Sequence, residues 1–203
     1  MKRTFEFLCA ALLLSGSMLM SGCSTYKASP QVIYDLGALP ASHPDAGLPP
    51  MIVVQPNVPP WLDSFEIYYR LSYVDAHQLR PYTNSRWSTP PLQLFEQRLK
   101  SSIAAAGGQV LSISESANNV PLVLHIDADD FTQAFDSPDH SMGQVTLRVS
   151  MFNHRNLVAQ KSFSHQIIAP SNDAAGGAKA LANASDATIA EILQWLVELN
   201  LKK

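Results

Sequence analysis

The stretch from Pro59 to Pro91 constrains the fold most, because double prolines mark both of its ends and a strand pattern fills the interval. Residues 65–74 alternate between apolar and polar side chains with a period of two, and residues 78–88 repeat this pattern more weakly. We therefore predict a β-hairpin that turns at residues 75–77. Pro81 has no N–H to donate, so the second strand is predicted to lie at a sheet edge.

Successive side chains of a strand point to opposite faces, so the predicted hairpin has one core face and one outward face. The outward face carries aromatic and cationic side chains, which are the types enriched at protein interfaces. A tryptophan beside a proline is also commonly a packed cover over a core, and this alternative stays open. The predicted core face carries Phe65, Ile67, Tyr69, Leu71 and Tyr73, and the predicted partner-binding residues are Trp61, Tyr68, Arg70, Tyr82, Arg86 and Trp87.

Three motifs in this stretch resemble a known family: WLDS at 61–64, YRLSYVD at 69–75 and SRWSTPP at 85–91. The chain is similar to the ABC-type transport auxiliary lipoproteins, the PqiC-like components that accompany MCE-type lipid-transport systems of Gram-negative envelopes. The similarity extends from Tyr34-Asp35-Leu36-Gly37 to the final helix. It implies a fold like that of the amino-terminal domain of TolB and a place in the cell envelope, and it supplies no catalytic residues.

The first 22 residues have the three parts of an export signal. Lys2 and Arg3 precede an apolar run at residues 7–20, which is shorter than the roughly 20 apolar residues that a membrane-spanning helix needs. Small residues then precede Cys23, and the sequence Met-Ser-Gly-Cys at 20–23 resembles a bacterial lipobox, in which the cysteine is acylated. We predict a signal peptide over residues 1–22 and lipidation of Cys23. The alternative is an ordinary secretory signal followed by a chance cysteine.

The cysteine content and the net charge bear on disulfide formation and on nucleic-acid binding. The chain has 2 cysteines, and Cys9 lies in the signal, so the mature protein cannot form an internal disulfide. Loss of the signal leaves 12 Lys and Arg against 16 Asp and Glu, a formal net charge of −4, which argues against nucleic-acid binding. Two or more acyl chains anchor a protein persistently. An aspartate after the lipidated cysteine would resemble an inner-membrane retention signal, but this position is Ser24. We therefore expect the protein to be anchored in the outer membrane, with its domain on the periplasmic side.

The remaining sequence predicts a single α+β (mixed α/β) domain, a mixed sheet with two helices packed on it. Residues 23–50 are predicted to be the lipidated cysteine and a tether with a short strand at 34–37, and residues 51–203 the domain. Apolar residues at helical spacing predict one helix before Gly107 and a last helix after residues 171–173. Further strands are predicted at 51–58, 109–114, 121–135, 144–153 and 157–169, with turns at 116–119, 136–141 and 154–156.

The sequence carries no recognisable catalytic motif. His125, Asp127 and Asp129 have a spacing that could present three ligands to a divalent metal, but polar residues of this kind are also common on the solvated face of a strand. We therefore predict no metal and no cofactor. Asp75 and His77 in the hairpin turn could join a serine, Ser72 or Ser85, in a catalytic triad only by accident of folding, so we predict that the protein is not an enzyme.

These observations predict a non-catalytic accessory lipoprotein at the outer membrane. Its expected partner is an MCE-domain periplasmic protein of an ABC lipid-transport system that spans the periplasm, and its expected role is docking that supports envelope integrity. A homo-oligomer is compatible with this role. The alternative is a lipoprotein that itself binds a small apolar or envelope ligand, which needs a pocket of roughly 300 Å³ or more near Trp61 and Trp87.

Overall fold

The computed structural model describes residues 30–40, 46–112 and 122–201. The chain divides into two units, Met1–Pro30, of which only Pro30 is described, and the compact unit Gln31–Lys203. The predicted signal peptide, the lipidated Cys23 and the turn at 116–119 lie outside the described residues.

One mixed sheet of seven strands organises the compact unit, in the order β1-β4-β3-β5-β6-β7, with β2 also pairing with β5. The pairs β1/β4, β2/β5 and β3/β5 are parallel, and the pairs β3/β4, β5/β6 and β6/β7 are antiparallel. The α+β prediction with a mixed sheet is confirmed. The strands are β1 Val32–Tyr34, β2 Ile52–Val53, β3 Glu66–Leu71, β4 Leu79–Trp87, β5 Leu122–Ser137, β6 His140–Asn153 and β7 Asn156–Ile168.

The described residues form three helices, α1 Ser72–Asp75, α2 Pro91–Ala105 and α3 Ala174–Glu198. Helix α3 begins where predicted, because the Asp173 side chain accepts a hydrogen bond from the Gly176 N–H over 2.8 Å. Helix α2 begins at Pro91, and Gly107 follows its end with φ +77°. The apolar stripes of α2 and α3 join the sheet in one hydrophobic core.

The compact unit begins at Gln31, 20 residues before the domain start that we predicted. Two contacts explain the earlier start. Strand β1 pairs with the end of β4 through Ile33 and its neighbours, and Leu36 and Leu48 lie in the core at 6% exposure each. The strand predicted at 34–37 therefore lies at 32–34, and a turn follows in which the Asp35 carboxylate accepts the Gly37 N–H over 2.7 Å.

Two short strands, β2 and β3, pair with different parts of β5. Strand β2 pairs with the first part of β5, and Asn57 makes an isolated parallel bridge to Asp127. The chain then leaves the sheet at residues 58–65, and β3 rejoins β5 at Gln133 to Phe135. Strands β2 and β3 thus follow one another along the same side of β5. The double proline in the intervening loop, with no N–H to donate, prevents the chain from continuing the ladder.

The first hairpin strand is shorter than predicted. It ends at Leu71, and the next four residues form the single turn α1 in place of the predicted strand end. Of the five residues predicted for the core face, only Ile67 is fully buried, while Phe65 is 48% exposed and Tyr73 is 46% exposed. The alternation therefore predicted the correct face for the middle of the strand and failed at its two ends.

Candidate functional site

Three of the predicted partner-binding residues lie together at the start of the hairpin. The rings of Trp61 and Tyr68 meet edge to face, with centroids 5.6 Å apart and an interplanar angle of 83°. The guanidinium carbon of Arg70 lies 5.9 Å from the centroid of the Trp61 ring, within range of a cation–π contact. Tyr68 and Arg70 are two residues apart on β3. In the loop before β3, the Ser64 hydroxyl donates a hydrogen bond to the Trp61 carbonyl over 3.1 Å.

Arg86 forms a second contact at the same end of β3. It pairs across the hairpin with Glu66, and its guanidinium carbon lies 5.9 Å from the centroid of the half-exposed Phe65 ring. Glu66, Tyr68 and Arg70 occupy alternate positions of β3, and the register with β4 shifts between Glu66 and Tyr68, so the two contacts lie along the same strand. We call this set the hairpin surface; it comprises Trp61, Phe65, Glu66, Tyr68, Arg70 and Arg86.

Trp87 does not belong to the hairpin surface, which corrects the prediction for this residue. Its side chain is 1% exposed and packs edge to face against Phe131 with ring centroids 5.8 Å apart. The alternative that this tryptophan is part of the core therefore describes Trp87 correctly. A side chain with so little exposure cannot contact a partner in this conformation.

Tyr82 also lies apart from the hairpin surface. Its ring is 4.6 Å from that of Tyr69, and its hydroxyl donates to Gln133 Oε1 over 2.8 Å. Burial raises the pKa of Tyr82, so its hydroxyl stays protonated and remains a hydrogen-bond donor. Gln133 in turn touches helix α3, which places Tyr82 toward the helices. We therefore correct its predicted membership of the outward surface.

The Tyr82 contact belongs to a buried polar network that the sequence did not reveal. Gln133 Nε2 donates to Ser141 Oγ over 2.9 Å, and Ser141 Oγ donates to Asn172 Oδ1 over 2.7 Å. The backbone of α3 lies so close that a Cβ atom added to Gly177 would be 2.0 Å from Gln133 Oε1. This network fixes the start of α3 against the sheet and the hairpin.

A buried acidic residue lies near Arg70. Among the described residues, Asp130 Oδ1 and Thr132 Oγ1 are buried and have no hydrogen-bond partner. Burial raises the pKa of Asp130, while the Thr132 side chain and, to a smaller extent, the positive charge of Arg70 act in the opposite direction. Strand β5 has a bulge between Ala128 and Asp130, which moves the residues that follow to the opposite faces. In the sequence, the apolar residues change from even-numbered positions up to Ala128 to the odd-numbered Phe131. This change of parity is the sequence signal that would have revealed the bulge.

The three candidate metal ligands do not converge. His125 packs its ring against Phe152 with centroids 4.9 Å apart, and Asp127 accepts a hydrogen bond from Asn57 Nδ2 over 2.9 Å. Asp129 lies at the bulge, outside the regular alternation that the prediction assumed. Within residues 30–40, 46–112 and 122–201, no group of three or more His, Cys, Asp or Glu side chains could hold a metal ion.

The hairpin turn holds an Asp–His pair without a catalytic environment. His77 Nδ1 lies 3.2 Å from Asp75 Oδ1, and the His77 side chain is 98% exposed. The hydrogen bond from the His77 N–H lowers the pKa of Asp75, and the imidazole adds to this effect. This hydrogen bond to the Asp75 carboxylate is of the kind that aspartate side chains commonly accept in turns. In the described part of the chain, no serine hydroxyl bonds to His77.

An open groove of about 500 Å³ lies between the segment after β1 and helix α3. Arg98 crosses its base and is held by Asp186, with Nε–Oδ1 2.5 Å and Nη2–Oδ2 2.8 Å, and by the carbonyls of Gly37 and Ala38 at 3.0 Å each. The groove is lined by neither Trp61 nor Trp87. It is therefore not the tryptophan-lined pocket that the alternative function requires.

The sequence matches the family described as ABC-type transport auxiliary lipoprotein component over residues 34–193. The structure resembles protein XCC0632 from Xanthomonas campestris, described as DUF330, with a TM-score of 0.71 and 18% identity over 83% of this chain and 96% of that one. It also resembles a hypothetical protein from Chlamydia trachomatis, with a TM-score of 0.50 and 9% identity over 77% and 99% of the two chains. No curated protein matches at a significant level. At these identities, the structural similarities establish the fold.

None of the helices in the described parts of the chain is long and apolar enough to cross a membrane.

Proposed function

This chain belongs to the ABC-type transport auxiliary lipoprotein family, and on that premise we propose that it is a non-catalytic docking component of an MCE-type lipid-transport system. In this proposal Cys23 is acylated and anchors the protein in the outer membrane. The domain faces the periplasm and binds an MCE-domain protein of the transport system. The assembly supports the integrity of the envelope.

The observation that carries the docking role is the hairpin surface. It combines the cations Arg70 and Arg86, which lie on an antiparallel pair of strands, with three aromatic rings. Tyr68 lies on β3, and Trp61 and Phe65 lie in the loop that precedes it. Arginine, tryptophan and tyrosine supply a disproportionate share of the binding energy at protein interfaces. A surface built on paired strands also loses little conformational entropy when a partner binds.

The alternative function, direct binding of a small apolar ligand, gains no support at its expected position. Trp87 is in the core, and Trp61 contacts the Tyr68 ring edge to face and the Arg70 guanidinium. The groove of about 500 Å³ lies elsewhere, and the ion pair of Arg98 with Asp186 occupies its base. We therefore retain docking as the proposed function.

Arg86→Ala tests the docking role. Arg86 is half-buried and partly screened by solvent, so its loss should change the free energy of unfolding little. At a true interface, truncation of such an anchor typically costs about 2 kcal/mol or more. We expect this variant to melt like the parent, to lose copurification with the MCE-domain protein and to fail to restore the envelope barrier in a deletion strain.

Arg155→Ala is the matched control, because it removes the same charge from an exposed turn between β6 and β7. It should keep both partner copurification and the envelope barrier. Full complementation by Arg86→Ala, at parental thermal stability, would place the docking surface elsewhere. Arg70→Ala is a less selective probe, because it also removes the positive charge that acts on the buried Asp130.

A further inference from the structure

The tip of the hairpin exposes apolar side chains to solvent. Tyr73 is 46% exposed and Val74 is 62% exposed, and both lie on the single turn α1. At the same end of the sheet, Ile168 is 67% exposed at the end of β7. The opposite end of the sheet exposes Leu157 at 54% and Val158 at 45%, so exposure alone does not decide which end meets a partner or a membrane.

Strand directions show from which end the chain enters the domain. Strand β4 runs away from the tip, from Leu79 to Trp87, and β1 is parallel to it with Val32 beside Ser85. Val32 is therefore the residue of β1 closest to the tip. The chain that precedes β1 accordingly enters the domain from the side on which the tip lies.

The length of the preceding chain fits a membrane at the tip. From Ser85 to Leu79, strand β4 covers six residue steps, or about 20 Å. Nine residue steps separate Cys23 from Val32, and a chain of this length spans at most about 31 Å. The difference between the two lengths is about 11 Å, so a fully extended tether can place Cys23 at most this far beyond the level of Leu79. A chain of this length is thus short enough for the bilayer that holds the acylated cysteine to contact the tip.

We propose that the hairpin tip, through Tyr73 and Val74, inserts into the interfacial region of the phospholipid bilayer that holds the acylated cysteine. This inference rests on the anchoring of Cys23 in the proposed function. Tyrosine suits the interface because its ring is apolar and its hydroxyl can remain hydrated. Insertion orients the domain with the tip toward the membrane and the turn between β6 and β7 away from it.

The charges near the tip indicate which force drives this contact. Asp75 is paired with His77, and Asp136 at the end of β5 lies 2.8 Å from His140. Arg80 is held by Gln78, with Nε–Oε1 3.0 Å. The described residues at this end of the domain therefore offer no cluster of unpaired cations to anionic headgroups. Burial of the two apolar side chains drives the contact.

Spin labels can measure the depth of the tip in a bilayer. The mature chain has no cysteine other than Cys23, so Val74→Cys introduces a single free thiol in the acylated protein. Leu157→Cys is the matched control, because Leu157 is 54% exposed and lies at the opposite end of the sheet. Each variant is labelled with a nitroxide and reconstituted into vesicles of phosphatidylethanolamine and phosphatidylglycerol. Collisions with oxygen and with a water-soluble nickel complex report the depth.

We expect the label at residue 74 to show a several-fold higher ratio of oxygen to nickel accessibility than the label at residue 157. Equal, water-like ratios at both positions in protein that floats with the vesicles would overturn the inference and leave the anchor intact. Failure of the acylated protein to float would instead overturn the anchor. Residues 24–203, held on nickel-chelating lipids by an amino-terminal hexahistidine, then give the same comparison without acyl chains.

Discussion

Individual residues show where the alternation of apolar and polar side chains predicted burial correctly and where it did not. The pattern of strand β5 was correctly predicted from Leu122 to Ala128, where even-numbered side chains are buried. It failed after the bulge, because one extra residue exchanges the two faces. Asp130 therefore pairs with Thr146 on the face opposite the buried Phe131, whereas unbroken alternation would place it on the core face with Ala128. A local insertion of this kind leaves only a change of parity in the sequence, and a partner strand is needed to locate it.

Asp130→Asn should make stability less dependent on pH. Burial raises the pKa of Asp130 above its usual 3.8, so the unfolded chain releases this proton at a lower pH than the folded protein does. Stability is therefore lost as pH rises from about 3.8 through the folded pKa, and the loss persists at neutral pH. We expect the melting temperature of the variant to exceed that of the parent at pH 7 and to converge with it below about pH 4.

Asp139→Asn is the control for this pH series, because its side chain is exposed in the turn between β5 and β6. It should track the parent at every pH. If Asp130→Asn also tracks the parent, the buried carboxyl does not carry a shifted pKa.

At the scale of elements, the sequence predicted those features that depend on local periodicity and caps. The apolar stripe predicted for the last helix is one example, since Leu181, Ser185, Ile189, Ile192 and Leu196 are buried. Its last predicted member, Leu199, lies just past the end of α3 and is partly exposed. The place of α3 against the sheet was not predictable, because it depends on a close backbone approach. Gly143 of β6 faces the backbone of Ala180, where an added Cβ would lie 2.6 Å from a carbonyl carbon. A glycine in the sequence does not reveal which backbone it lets approach.

Gly177→Ala tests this docking of helix against sheet. Alanine is favoured over glycine in a helix by about 1 kcal/mol, but here the new Cβ would lie 2.0 Å from Gln133 Oε1. Overpacking typically costs about 1–3 kcal/mol, so we expect a net loss of stability in denaturant unfolding. In a Gln133→Ala background the clashing amide is gone, and the same substitution should become neutral or stabilising.

Gly176→Ala is the control for the double-mutant cycle. Its added Cβ would lie 1.9 Å from the backbone oxygen of Ser171, which no change at Gln133 can remove. It should therefore stay destabilising in both backgrounds. Equal costs of Gly177→Ala with and without the glutamine side chain would show that Gln133 does not set the helix position.

At the scale of the whole molecule, the family resemblance and the fold class were both predictable, whereas the strand order was not. Parallel pairing of β1 with β4, and of β2 and β3 along one side of β5, joins residues far apart in sequence. Periodicity records which face of a strand is buried and carries no information about its neighbour. For the same reason the predicted binding set mixed outward residues such as Tyr68 with the core residue Trp87, although both lie on the same hairpin.

Cys23→Ser, exported behind a cleavable secretory signal, should release the folded domain from membranes. Two or more acyl chains hold a protein persistently, whereas the exposed Tyr73 and Val74 bury too little apolar surface to retain it alone. The compact unit begins at Gln31 and its core includes no cysteine, so its thermal unfolding should equal that of the parent. Cys9→Ser, which alters only the predicted signal, should remain in the membrane fraction. If the Cys23→Ser protein still sediments with membranes after a high-salt wash, another attachment holds this domain.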